Sequence, residues 1–426
     1  MSHREAKEKL GRGGKCAASY ISRFLKWVVI AGVTGGSSGV VGAVFFLSVN
    51  FATRFRALHP FIIWLLPIGG LLTVAVYRLG NLNFNAGTNM VLRSIRSEEH
   101  VPLVMVPLIF ASTVITHFVG GSAGREGAAL QIGGGIGSEI GRLFRLDAKD
   151  MHIVTLCGMS GVFSALFGTP ITAALLAMEV VSVGVLYYSA LVPCLVSSIT
   201  AYQIALLFGV PPTRFALSSV PPLTWTVLGQ TALIAVACAL LSIVFCVAVH
   251  SVSRLSARII PSDYLRIAAG GALLIALTLL SGAQEYNGAG MNAVASAVAG
   301  NARPEAFLLK LVFTAVTIGT GFKGGEIIPS FFIGATFGCF AGGLVGLPPG
   351  FGAALGLSAV FCGVVNCPIA SLVLSIEMFG SGGLILFALA CGISYVLSGY
   401  FGLYSSQNIV YSKLRAEFID KTVRKW

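Results

Sequence analysis

The stretch GMSGVFSALFGTPITAALLAMEV, residues 158–180, lies without a gap over GLSAVFCGVVNCPIASLVLSIEM, residues 356–378, at an offset of 198. Eight of the 23 paired positions are identical: Gly158/Gly356, Ser160/Ser358, Val162/Val360, Phe163/Phe361, Pro170/Pro368, Ile171/Ile369, Leu176/Leu374 and Glu179/Glu377. Apolar sequence matches itself easily, but a shared proline followed nine residues later by a shared glutamate is not generic apolar composition. Trp27 and Trp225 stand at the same offset. The chain reads as two duplicated halves.

Both copies lie in a sequence too apolar for one soluble core: 426 residues, 56% hydrophobic and 10% charged, with a mean hydropathy of +0.88. Residues 27–53 and 215–253 contain no Asp, Glu, Lys or Arg, and each run exceeds the roughly 20 residues that a spanning helix needs. Spanning barrels show short alternating segments instead. The expectation is an all-α polytopic membrane protein. The first apolar run is too long for a signal peptide, so it reads as an uncleaved helix.

Long apolar runs fall near 27–53, 57–77, 101–119, 186–208, 222–250, 265–281, 304–320 and 382–402. Shorter ones fall near 88–95, 125–143, 149–163, 170–182, 290–300, 328–345, 352–364 and 367–378. Pieces too short to cross a ~30 Å hydrocarbon layer must be buried in protein or line a cavity, because lipid cannot satisfy an exposed backbone end. The expected division is a basic cytoplasmic segment 1–26, a first membrane half 27–213, a second 222–410, and a short basic tail 411–426.

The net charge of +12 gathers at the ends. Residues 1–26 hold seven Lys/Arg against two Glu, and residues 412–426 hold five against two acids. Basic flanks beside spans favour the cytoplasmic side, so both termini are expected inside a cytoplasmic (inner) membrane. No basic–aromatic surface accompanies the charge, and no nucleic-acid partner is expected. The nine cysteines show no CxxC spacing and the six histidines no HExxH cluster; no metal and no cofactor are expected. With so little chain after Tyr404, no regulatory cytoplasmic domain is expected.

Chemistry concentrates where glycines precede a helix: Asn85-Ala86-Gly87-Thr88-Asn89-Met90, Gly124-Arg125-Glu126-Gly127-Ala128, and Gly324-Gly325-Glu326-Ile327-Ile328-Pro329, joined by Leu403-Tyr404-Ser405. Helix starts carry unpaired N–H donors and a partial positive charge, and several converging at mid-membrane would bind an anion. Small-residue helix packing explains any one such cluster equally well. GSAGREG at 121–127 matches GFKGGEI at 321–327 at an offset of 200, pairing Gly121/Gly321, Gly124/Gly324 and Glu126/Glu326. Glu179 and Glu377 read as solvated at helix exits, and Lys323 as a snorkelling cation.

Glu126 and Glu326 resist the bland reading, because a carboxylate inside a membrane is functional by default. Burial opposes the charge and a helix N-terminus favours it, so such a group can exchange a proton and imitate an anionic substrate. Arg125 is expected to pair with backbone or a nearby acid.

GREG followed by a small residue and LQIGG, then FxxP with a glutamate, a GG-x-x-x-P start and a late Leu-Tyr-Ser together resemble the CLC family of chloride channels and proton-coupled anion transporters. The resemblance covers roughly residues 27–410. It implies a homodimer in the lipid bilayer, each subunit with its own anion pathway, built as a CLC-type inverted repeat of two halves with short, tilted and broken helices. It also implies that Glu126 is the gating, proton-coupling glutamate, that Thr88 (or, with a slip of one or two places, Asn89 or Met90) stands at the central anion site, that Ile327 supplies a backbone N–H, and that Tyr404 points its hydroxyl at the anion. Gly87, Asn89, Gly124, Arg125, Gly127 and Ile328 complete the implied anion-binding set.

The departures from the family pattern narrow the expectation. GSGIP is GTNMV here, GREGP is GREGA, GxFxP is Gly-Glu-Ile-Ile-Pro, and Val180 stands where many exchangers carry an inner proton-transfer glutamate. These resemble the fluoride-exporting branch. The expected function is proton-coupled fluoride antiport, the alternative a chloride/proton antiporter or chloride channel of the same fold. Fluoride loses more than chloride on leaving water and needs stronger donors in return. An intramembrane enzyme with Glu126 and Glu326 as an acid–base pair lacks a nucleophile motif or metal site, so the chain is not expected to be an enzyme.

Overall fold

Prolines and glycines cut the apolar sequence into helices of very unequal length, each half running through eight. The first half holds α1 (His3–Leu58), α2 (Leu66–Leu79), α3 (Thr88–Ser94), α4 (Met105–Val119), α5 (Glu126–Leu143), α6 (Ala148–Phe167), α7 (Pro170–Glu179) and α8 (Leu191–Leu207). The second holds α9 (Trp225–Ile259), α10 (Asp263–Ser281), α11 (Met291–Val298), α12 (Ala306–Thr320), α13 (Ile327–Val345), α14 (Pro349–Val365), α15 (Pro368–Phe379) and α16 (Leu384–Leu397). The computed structural model describes residues 3–84, 87–97, 101–415 and 417–423, with side chains from residue 19 onward. Asn85 and Ala86, the charged side chains up to Lys15, and Arg424 and Lys425 lie outside the described residues.

Among the described residues seven helical stretches are long and apolar enough to cross a membrane, two of them being α2 and α8 extended by the 3-10 turns Pro60–Leu65 and Tyr188–Ala190. At 35 residues α9 measures about 52 Å, so it must lean within a ~30 Å layer. Some runs differ from their expected length. Helices α4 and α12 have only 15 residues each, and α16 has 14. Conversely, α6 and α13, expected as short pieces, reach 20 and 19 residues. Helix α1 already begins at His3, so its start does not coincide with residue 27.

Pro170 and Pro368 each occupy the first turn of a helix, where a missing N–H costs nothing. The residues before them, Thr169 and Cys367, share one backbone geometry, with φ −122° and ψ 75° and 77°. The paired glutamates overturn the expectation that they are solvated. The Glu179 carboxylate accepts from the N–H groups of Ile369 and Ala370 at 3.2 and 2.9 Å, and Glu377 accepts from those of Ile171 and Thr172 at 3.1 and 2.8 Å. Each half therefore caps a helix start of the other, and such reciprocal contacts define a two-fold relation between halves.

A small sheet ties the C-terminal segment to the first half. Strand β1 (Ser182–Val183) runs parallel to β2 (Asn408–Tyr411), which pairs antiparallel with β3 (Phe418–Thr422). The region expected as a basic tail from residue 411 thus carries strand structure. Lys413 reinforces it, its Nζ donating to Asn366 Oδ1 at 2.5 Å and to the Tyr395 carbonyl at 2.8 Å.

Candidate functional site

Helices α4 and α12 both end on a left-handed glycine, Gly120 at φ +99° and Gly321 at φ +114°. Only glycine takes that conformation without strain, and it turns each chain sharply into the loop before the next helix. The two loops meet as an antiparallel bridge: Gly124 N–H donates to the Gly325 carbonyl at 2.7 Å, and Gly325 N–H returns to the Gly124 carbonyl at 2.8 Å. A side chain on Gly325 would lie 2.5 Å from the Gly127 nitrogen, so the approach demands glycine.

That bridge pairs residues 201 apart, not 200. Glu126 is the first residue of α5, whereas Glu326 precedes α13, whose first residue is Ile327. The structural mate of Glu126 is therefore Ile327, and that of Glu326 is Arg125; the offset of 200 inferred from sequence is corrected by one place. This single step explains why the two acids differ in surroundings.

Glu126 is fully buried. Its Oε1 accepts from the Arg125 N–H at 3.0 Å and its Oε2 from the Ile328 N–H at 3.1 Å. One donor comes from each half. Ile328, not Ile327, supplies the second-half N–H that reaches this carboxylate. Arg125 forms no ion pair among the described residues; its guanidinium lies 4.2 Å from the Phe46 ring centroid.

Glu326 is half-buried and lines a cavity of ≈ 290 Å³ shared with Gly87, Thr88, Asn89, Gln131, Lys323 and Tyr404. The Tyr404 hydroxyl is buried and has no hydrogen-bond partner among the described residues. Thr88 is differently placed from expectation: its hydroxyl donates to the Gly127 carbonyl at 3.2 Å and accepts from Gln131 Nε2 at 3.2 Å. Its proton is taken up within the protein. Asn89 latches α3 to the C-terminal loop, its Oδ1 accepting from Ser406 N–H at 3.0 Å and Ser406 Oγ at 2.8 Å.

Two residues, Gln131 and Ser406, had no role assigned from the sequence, and the reading of a third, Lys323, is overturned. Gln131, one amide in an otherwise apolar and glycine-rich helix, was visible as an oddity; it also donates to the Gly127 carbonyl at 3.1 Å. Ser406 carried no signal, because its partner Asn89 is remote in sequence. Lys323 does not snorkel: its Nζ binds the Phe84 carbonyl and faces the Tyr77 and Phe84 rings. Among the described residues no group of three His, Cys, Asp or Glu could hold a metal ion. What the arrangement can do is seat a small anion on backbone donors from two half-helices, with one carboxylate already in that seat and a second in the cavity beside it.

Residues 78–399 match the family model described as voltage gated chloride channel. A chloride/fluoride channel protein of Pseudomonas syringae pv. tomato is 37% identical over 396 residues, which cover 91% of this chain and 87% of that protein. Among solved structures, a CLC-type fluoride/proton antiporter is similar with a TM-score of 0.87 at 31% identity, covering 90% of this chain and 98% of that one. A slow cyanobacterial Cl⁻/H⁺ antiporter shares the fold, with a TM-score of 0.73 at 20% identity over 87% of this chain and 94% of that one.

Proposed function

Since the chain belongs to the CLC family of multi-pass membrane anion/proton transporters, we propose that it exports fluoride in exchange for protons. The observation that carries this reading is the seat of Glu126, whose carboxylate occupies backbone donors from both halves. A titratable anion fills the place a halide would take. When a proton neutralises it, those N–H groups are released to fluoride, so carboxylate and fluoride compete for one seat while proton and fluoride favour each other's binding. Tyr404 brings a free hydroxyl donor, and Glu326, when protonated, a second. Fluoride over chloride is supported by the likeness to a CLC-type fluoride/proton antiporter at 31% identity and by the acid in the cavity, a strong donor for the more tightly hydrated ion.

The same reading places the protein in the cytoplasmic membrane as a homodimer, with both termini inside. Ser253, Ala257 and Arg266 also line the cavity, at the end where α9 carries Arg254 and Arg258. By the positive-inside rule that end is cytoplasmic, where fluoride is to be collected. In this reading the two acids serve as proton carriers.

The decisive experiment records fluoride efflux, chloride efflux and internal pH together in liposomes containing the purified protein. Fluoride efflux with proton uptake is expected, with little chloride movement. Equal chloride flux would end the fluoride assignment, and anion flux without proton movement would make the protein a channel. Glu126→Gln is expected to abolish proton-coupled exchange, since an amide neither takes nor gives the proton.

A further inference from the structure

Lys323 lies three residues before Glu326, in the loop between α12 and α13, and turns into the protein. Its ammonium is held by the Phe84 carbonyl, by the Phe84 ring at 4.1 Å and by the Tyr77 ring at 4.7 Å. A carbonyl dipole and two π faces stabilise a cation without cancelling its charge. The other cation lining the cavity, Arg266, is paired, with Asp263 Oδ1 at 2.5 Å.

The titratable and charged groups around this space are few. Glu326 faces it from the same loop, Arg266 with Asp263 from α10, Tyr77 from α2 and Tyr404 from the C-terminal loop, with Glu126 behind the Gly124–Gly325 bridge. Among the described residues, Lys323 makes no ion pair with a carboxylate, and Glu326 makes none with a cation. The two line one cavity, where Arg266 and Asp263, the other charged neighbours of Lys323, are paired with each other.

Resting on the proton-coupled anion exchange proposed above, we infer that Lys323 is the fixed counter-charge of the anion cavity, admitting fluoride when a proton neutralises Glu326 and expelling it when Glu326 ionises. With Glu326 ionised the pair sums to zero, and an entering anion meets a like charge without reward. With Glu326 protonated the lysine is left unmatched, and desolvated fluoride takes the carboxylate's electrostatic place. Proton and anion binding then reinforce each other through one cation, and by linkage each raises the affinity for the other equally. Lys323 acts as a positioning charge; the proton moves between water and the Glu326 carboxyl.

The test is calorimetric fluoride binding to purified protein from about pH 5.5 to about pH 8, beside the paired ion fluxes in liposomes. Parent protein is expected to bind fluoride more tightly as pH falls. Lys323→Met keeps the aliphatic stem and loses the charge; binding at the acid end is expected to weaken roughly tenfold, with a flattened pH profile. Lys323→Arg is expected to restore most of the affinity and the profile, which a purely structural tether would not predict. Glu326→Gln, permanently neutral at that position, is expected to bind fluoride with a pH profile flatter than the parent's, keeping only the share that Glu126 contributes, and it decides the matter even where Lys323→Met does not fold. Parental affinity and pH profile in Lys323→Met, an arginine variant as defective as the methionine one, or a parental pH slope in Glu326→Gln would each overturn the assignment. A parent that moves fluoride without protons would instead overturn the transport reading itself.

Discussion

The Tyr404 hydroxyl is buried without a partner, so its removal costs the fold little and the site one donor. Tyr404→Phe is expected to weaken fluoride binding by about 1 kcal/mol, roughly fivefold, with an unchanged melting temperature; parental affinity would remove Tyr404 from the site. Thr88 behaves in the opposite sense, because its hydroxyl bridges the Gly127 carbonyl and the Gln131 amide. Thr88→Ala removes one of the two side-chain hydrogen bonds that each of those buried groups makes, leaving the direct Gln131–Gly127 bond. The expected loss is about 1–3 kcal/mol in stability, read as a lower midpoint in thermal unfolding, with selectivity changing only as the Gly127 turn shifts. An altered fluoride/chloride ratio at parental stability would restore the direct role that the resemblance implied for Thr88.

Helix starts contribute to holding the halves together. Glu377 accepts two hydrogen bonds from the first turn of α7 and Glu179 two from that of α15, so neither glutamate is a free surface acid. Glu377→Ala leaves a helix start uncapped at the junction and is expected to destabilise by about 1–2 kcal/mol, measured by thermal unfolding in detergent. Outside the spans, burial pushes the Lys413 ammonium down to about 8 from its ordinary 10.5. Between those values the unfolded chain holds more protons than the folded one, so stability rises with pH across that window; below pH 8 both states are protonated and the burial cost is complete. The difference in melting temperature between parent and Lys413→Met, followed through this window, is expected to change in that sense, and a difference independent of pH would show that Lys413 titrates normally.

At the scale of the whole molecule, fluoride leaving and a proton arriving move charge in the same electrical direction. An inside-negative potential of 100 mV contributes about 2.3 kcal/mol for each charge carried across. Fluoride efflux from liposomes is therefore expected to accelerate when the lumen is made negative and to slow when it is made positive. Flux indifferent to voltage would mean that HF crosses as a neutral species, and the two carboxylates would need another explanation.

The membrane character, the duplication and the positions of the two loop glutamates were legible in residues 27–53, in the 158–180/356–378 match and in GREG and GGEII, because hydropathy, proline turns and glycine runs act over a few residues. The loop alignment was one place off, since GSAGREG and GFKGGEI share too few identities to mark where each helix begins. Tertiary structure alone decided that Gly124 pairs with Gly325, that Glu126 is enclosed while Glu326 opens on the cavity, that Glu179 and Glu377 cap each other's halves, and that Lys323 turns inward. Each of these depends on how close two distant segments come, and a buried charge goes to whatever carbonyl, amide or ring that approach brings within reach.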